Sequence, residues 1–143
     1  VAELLLIVTL AGEQVAVLAS EVESVVEVEG LTPVPRAGGH VAGLTALRSR
    51  VLTVIDCMAS LEPGGRIDNP RDAIVVVADG HPYALLVDRV EDVVEAEGEI
   101  APVPASLASG WAGVATGYVP AEGRLFLLVD IHALIAGPTA EAA

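Results

Sequence analysis

The 143-residue chain contains no lysine, a single cysteine and only one Trp, two Tyr and one Phe. Without lysine there can be no phosphate-cradling loop of the G-x-x-x-x-G-K-[ST] kind, and no G-x-S-x-G nucleophile turn is present either. The lone Cys57 excludes an internal disulfide and agrees with a reducing compartment. His40, His81 and His132 stand far apart in unrelated contexts, so no ligand set has zinc spacing and no metal is expected. No apolar run reaches the ~20 residues needed to cross a bilayer, and Leu4–Leu10 runs into Ala11-Gly12-Glu13 instead of a signal cleavage pattern. A soluble, cytoplasmic protein is expected. Seven basic residues, all arginine, face twenty acids for a net charge of −13. That field repels phosphate backbones and anionic headgroups, which argues against nucleic-acid or membrane partners.

What the chain does have is a repeat. Val22-Glu23-Ser24-Val25-Val26-Glu27-Val28-Glu29-Gly30 returns as Val90-Glu91-Asp92-Val93-Val94-Glu95-Ala96-Glu97-Gly98, with seven of nine residues identical at an offset of 68. Each block is followed by a proline pair, Pro33/Pro35 and Pro102/Pro104, and later by an apolar run closing on aspartate, Val51–Asp56 and Leu125–Asp130. Two copies are too few for a solenoid, whose repeats need several neighbours to bury a core. A duplicated small unit packed against itself is expected, with copies at about 1–62 and 71–137 and a linker at 63–70. Units of this size bury too little surface alone, so the copies are expected to share one core. The first strand can pack with the other copy.

With 53% hydrophobic residues and 3% aromatics, that core must be built from Val, Leu, Ile and Ala. Such interiors favour strands. Short apolar runs separated by turn residues place strands at Leu4–Leu10, Gln14–Leu18, Val25–Glu29, Val41–Leu47 and Val51–Asp56. Their counterparts are Ala73–Ala78, Pro82–Asp88, Val93–Glu97, Gly113–Val119 and Leu125–Asp130. Five short strands per copy predict a small barrel, since closure removes exposed edges. Ser20–Ser24 and Asp88–Asp92 are each expected to form one helical turn, with Val22 and Val90 facing inward. Cys57–Leu61 and Ile131–Ile135 read as short helices capping the barrels, and Pro138–Ala143 as a frayed tail.

Few residues invite chemistry. Asp56 and Asp130, one per copy, could meet as a shared-proton pair in an acid hydrolase. Capping of the following helices explains them better, because their followers Cys57-Met58 and Ile131-His132 are not the small residues such a site requires. Nothing marks Cys57 as a lowered-pKa nucleophile, so it is expected to be a buried structural thiol. The acids of Glu21–Glu29 alternate with valine, as on a solvated strand face, and lack the spacing of a calcium loop. Arg48 stands apart, because the second copy has no arginine at its place. It is either a surface arginine neutralised by Glu23 or Glu27, or a bidentate anchor for a partner.

Taken together these segments resemble the CheW-like domain family, the coupling module of bacterial chemosensory arrays. The likeness spans the chain: the opening strand Leu4–Gly12, the V-x-x-V block with its proline at Val22–Pro35, the Gly43–Cys57 stretch around Leu47-Arg48, and Val87–Val93. It implies an all-β fold of two five-stranded SH3-like barrels with no catalytic activity and no cofactor. It also implies an adaptor that joins chemoreceptor cytoplasmic tips to the histidine kinase CheA. Carried over by motif, receptor contacts fall on Val22, Ser24, Gly43, Arg48, Val75, Val90 and Val93, in a groove between the barrels. The kinase's regulatory domain, docking barrel to barrel, is expected at Val25, Val28 and Leu31. Ser49, Thr53, Cys57 and Ser24 depart from the family pattern, which usually has glycine, proline, leucine and an acid there. The alternative within the family is a domain belonging to a larger protein, either a kinase regulatory domain or an adaptor fused to a receiver.

Overall fold

The computed structural model describes residues 3–62, 64–68, 72–103 and 109–137. Within them ten strands form two five-stranded sheets. Chain order gives β1 (Leu4–Leu10), β2 (Glu13–Leu18), β3 (Ser24–Glu27), β4 (Val41–Leu47) and β5 (Arg50–Asp56), closed by helix α1 (Cys57–Leu61). Then follow β6 (Asp72–Ala78), β7 (His81–Leu86), β8 (Arg89–Glu95), α2 (Ser109–Ala112), β9 (Ala115–Ala121), β10 (Arg124–Val129) and α3 (Ile131–Ala136). Sheet one runs β8-β1-β2-β10-β9 and sheet two β3-β6-β7-β5-β4. The two orders are the same list with copies interchanged, and each contains one parallel pair, β2 with β10 and β5 with β7. Each sheet fits a small SH3-like subdomain.

Neither half of the repeat builds a sheet by itself. The first strand does pack with the other copy, and it takes β2 with it, so sheet one joins the β1–β2 hairpin to β8, β9 and β10. Sheet two accordingly takes β6 and β7 from the second half. Apolar burial accounts for this arrangement. Strand β1 is buried on both faces, Leu5 and Ile7 toward the interior of sheet one and Leu6, Val8 and Leu10 toward the large cluster shared with Leu52, Ile74, Val76 and Leu85 of sheet two. A strand apolar on both faces is stable only between two layers.

Tight turns set the hairpins. Ala11-Gly12, Arg48-Ser49, Asp79-Gly80 and Glu122-Gly123 each join two antiparallel strands, and both residues of every pair have positive φ. These are two-residue type I′ turns, whose twist matches that of the flanking strands. Only Arg48-Ser49 lacks glycine. A second constraint acts at Gly43 and Gly117, where an added Cβ would stand 2.7 Å from the Thr32 carbonyl oxygen and 2.5 Å from that of Ala101. Their bare backbones let the proline-containing loops cross close enough for the bridges Thr32–Leu44 and Ala101–Tyr118.

Some details differ from the sequence reading. A 3₁₀ turn forms at Ala19–Glu21, but no Ser20 side-chain bond caps it. Its counterpart at Asp88–Asp92 is not helical, because β8 extends along β1 as far as Thr9. There the Thr9 hydroxyl donates to Glu91, and Asp88 accepts from the Ala11 amide at 2.8 Å, so both acids hold strand and turn in place. Pro63, Asn69 and Pro70 of the linker, and the tail 138–143, lie outside the described residues. Helix α2 was not anticipated.

Candidate docking surface

The closing aspartates are caps. Asp56 is buried; one carboxylate oxygen accepts from the amides of Met58 (3.0 Å) and Ala59 (3.4 Å), the other from Ile67 (3.2 Å). Asp130 accepts from the His132 amide at 3.0 Å. Each aspartate therefore caps the helix that follows it, the structural role expected in place of a shared-proton pair. Cys57 is fully buried; desolvation, and after it the charge of Asp56, push its thiol far above the ordinary range, so it stays protonated and inert. No cluster of three or more His, Cys, Asp or Glu able to hold a metal occurs among the described residues. What these groups do is join the copies: Ser60 donates to the Leu134 carbonyl at 2.6 Å, and His40 Nε2 lies 2.8 Å from the Ile135 carbonyl.

The seven residues expected at a receptor surface divide into support and surface. Gly43 and Val75 are buried. Gly43 carries the loop crossing, and Val75 pairs with Ser24 in the β3–β6 ladder while its carbonyl accepts from the Glu23 amide at 2.7 Å. Val22, Ser24 and Val90 are half-buried, and Val93 is 51% exposed. Val22 and Val90 pack against the shared core, as expected. Val90 and Val93 lie on β8, opposite Val8 and Leu6 of β1. The Val90 amide donates to the Asp72 side chain at 3.3 Å, which ties the edge of sheet one to the start of β6. Val75 lies three residues farther along β6, or about 10 Å at ~3.4 Å per residue. The valines therefore form two groups, Val22 and Val75 beside the β3–β6 ladder of sheet two and Val90 and Val93 on the β8 edge of sheet one.

Arg48 is exposed on the Arg48-Ser49 turn. Its neighbour Arg50, and not Arg48, takes Glu23: the Arg50 guanidinium bonds and ion-pairs with that carboxylate. This pair ties the β4–β5 tip to the start of β3, next to Val22 and Ser24. Arg48 itself makes no ion pair or side-chain hydrogen bond among the described residues. Its φ of 52° places a long side chain in left-handed backbone, which costs about 1–2 kcal/mol. The sequence left Arg48 either neutralised by Glu23 or Glu27 or free to anchor a partner; Glu23 is taken by Arg50 instead.

Of the three residues expected at a kinase surface, Val28 and Leu31 border one hollow, while Val25 alternates with Val26 and faces the other side of β3. Val25 is 47% and Leu31 39% exposed, with Val28 half-buried. Val28 lines a groove of about 440 Å³ together with Val26, Thr45, Leu47, Leu52 and Ala84. The sequence reading singled out none of these five. On the β8 edge of sheet one, the Glu91 carboxyl is held below its usual range by the Thr9 hydroxyl first and then by Arg89, whose Nε donates at 2.9 Å.

Comparison with known proteins adds three findings. A family profile for the CheW-like domain matches residues 4–138. The chain is 31% identical over 114 residues to the chemotaxis protein CheW of Rhizobium meliloti strain 1021, covering 78% of this chain and 74% of that one. It also superposes on the scaffolding protein TtCheW of Thermoanaerobacter tengcongensis with a TM-score of 0.77 at 25% identity, covering 94% of this chain and 88% of the other.

Proposed function

Because the chain belongs to the CheW-like domain family, and is as such a non-catalytic adaptor of chemotaxis signalling, we propose that it couples the cytoplasmic tip of a chemoreceptor to the histidine kinase CheA. The receptor side is the surface where Val22, Ser24, Val90 and Val93 are accessible, with Arg48 at its lip and Gly43 and Val75 beneath. A groove of valines with one guanidinium at the rim suits an amphipathic helical hairpin laid apolar face down. The kinase side comprises Val25, Val28 and Leu31. Its occupant is the regulatory domain of CheA.

The observation that carries this reading is the state of Arg48. It is an exposed cation with no intramolecular partner among the described residues, held in strained backbone beside a neutralised arginine. Arginine of this kind is enriched at binding hot spots because its planar fork pairs bidentately with a carboxylate. No helix among the described residues is long and apolar enough to cross a membrane. Association with membrane-bound arrays would therefore run through the receptor.

Calorimetric titration tests the reading. A helical hairpin with the receptor-tip sequence and the isolated CheA regulatory domain should each bind, and binding of one should leave the other's site available. Failure of both to bind at micromolar concentrations would refute the coupling role.

A further inference from the structure

The two sheets are equivalent by repeat, yet among the described residues they differ around one equivalent hairpin position. In the β9–β10 hairpin Phe126 pairs with Val119, and in the β4–β5 hairpin Leu52 pairs with Thr45, so Leu52 occupies the place of Phe126. Around Phe126 sheet one is dry: the ring is buried with Ala16, Val94, Val119 and Ala121. The chain also closes over it, with the Glu97 amide donating to the Pro120 carbonyl at 2.7 Å. In sheet two the equivalent residues, Glu29 and Ala46, make no such bond among the described residues. The seam stays open as the groove over Leu52, and it continues into a smaller hollow of about 170 Å³ beside Leu31 and Leu86.

We propose that this split seam is the seat for one aromatic side chain of a partner protein, flanked there by basic residues, which completes sheet two from outside as Phe126 completes sheet one from within. Size permits it, since an apolar cavity of about 150 Å³ already accepts benzene and the groove offers about 440 Å³. Charge selects the flanks: Glu29 is exposed at the rim of a chain with net charge −13. A second copy of this chain is a poor occupant, because it would bring the same acidic rim, its Phe126 is buried, and Trp111, Tyr83 and Tyr118 are all partly buried. The inference rests on the reading that the kinase docks here, since Val28 and Leu31 border the same opening.

The probe is the tripeptide N-acetyl-Arg-Phe-Arg-amide, with N-acetyl-Arg-Ala-Arg-amide as control, titrated into ¹⁵N-labelled protein. Amide shifts should move at Val28, Leu47 and Leu52 with the phenylalanine probe, and the alanine control should bind at least tenfold more weakly. Leu52→Phe fills the groove from inside and should abolish the effect while keeping a cooperative melt; if it does not fold, Val28→Ser serves and should weaken binding at least threefold. Equal binding of the two probes, or unchanged binding by a folded variant, overturns the proposal. Calorimetry with the CheA regulatory domain separates the two readings. Loss of binding in Leu52→Phe supports the seat, and equal binding by parent and folded variant overturns it while leaving the docking site intact. If the parent binds the phenylalanine probe but not the kinase domain, the seat stands and the docking reading fails.

Discussion

Replacing Ser49 with glycine should stabilise the fold, and the structure supplies both the size of the effect and its control. Three of the four type I′ hairpins place glycine second, at φ of 81°, 75° and 73°, while Ser49 holds φ of 68° with a side chain. A left-handed L-residue costs about 1–2 kcal/mol, and glycine returns about 0.4–1 kcal/mol of that through the freedom it adds to the unfolded chain. The net gain is about 0.5–1 kcal/mol, or roughly 2–4 °C in Tm for a domain of this size. The mirror experiment is Gly123→Ser, where an added Cβ meets nothing within 4 Å and only the conformational cost applies. It should lower Tm by a similar amount. Thermal melts followed by circular dichroism measure both. If Ser49→Gly leaves Tm unchanged or lowers it while Gly123→Ser lowers it, strain at the Arg48-Ser49 turn is not what the backbone angles imply.

Arg48→Ala should weaken binding of a receptor-tip hairpin by about 2 kcal/mol without changing Tm, as expected for a hot-spot anchor; Arg50→Ala, which loses only an exposed ion pair, should cost under about 1 kcal/mol on either scale. Gly43→Ala forces a Cβ against the Thr32 carbonyl in backbone of φ 152°, so a loss of about 1–3 kcal/mol is expected in denaturant titrations. The depressed Glu91 carboxyl stabilises the folded state above the ordinary carboxylate range, and this is lost as pH falls through its lowered value. The Tm gap between the parent and Thr9→Val should accordingly be present at pH 7 and narrow in acid. Cys57 should resist a thiol reagent in the native protein and react at once in denaturant, because burial and Asp56 keep the thiol protonated.

Much of this was legible in the residues. The repeat, the Val/Leu/Ile strands, the turn at Gly12, and the capping roles of Asp56 and Asp130 follow from local rules, and the strands formed within a few residues of their expected bounds. The exchange of hairpins did not follow, because β2 meets β10 across more than a hundred residues and pairing partners leave no mark on hydrophobic alternation. The helical turn expected at Asp88–Asp92 failed for a related reason. It shares the central Val-Glu with Ser20–Ser24, but Thr9 and the Ala11 amide supply partners to Glu91 and Asp88 that the first copy lacks. At the candidate surface, exposure of Val25, Leu31 and Arg48 was readable; that Val75 and Gly43 lie underneath was decided by tertiary contact. The open groove had a signal, Leu52 standing where the repeat has Phe126, but it acquires meaning only when both sheets are seen around those positions.

Sheet two is drawn wholly from residues 24–86, whereas sheet one needs strands from 4–18 and from 89–129. During synthesis the middle of the chain can thus settle as soon as β7 leaves the ribosome. The opening hairpin, meanwhile, must wait for β8 and β10 before it has a neighbour on both flanks. Contacts so distant in sequence form slowly, and an uncovered strand is prone to capture by its own kind. Between those two moments a nascent molecule carries one hydrogen-bonded sheet whose shared apolar face still lacks part of its cover and one orphaned ribbon, and it is in that interval that chaperone protection would matter most.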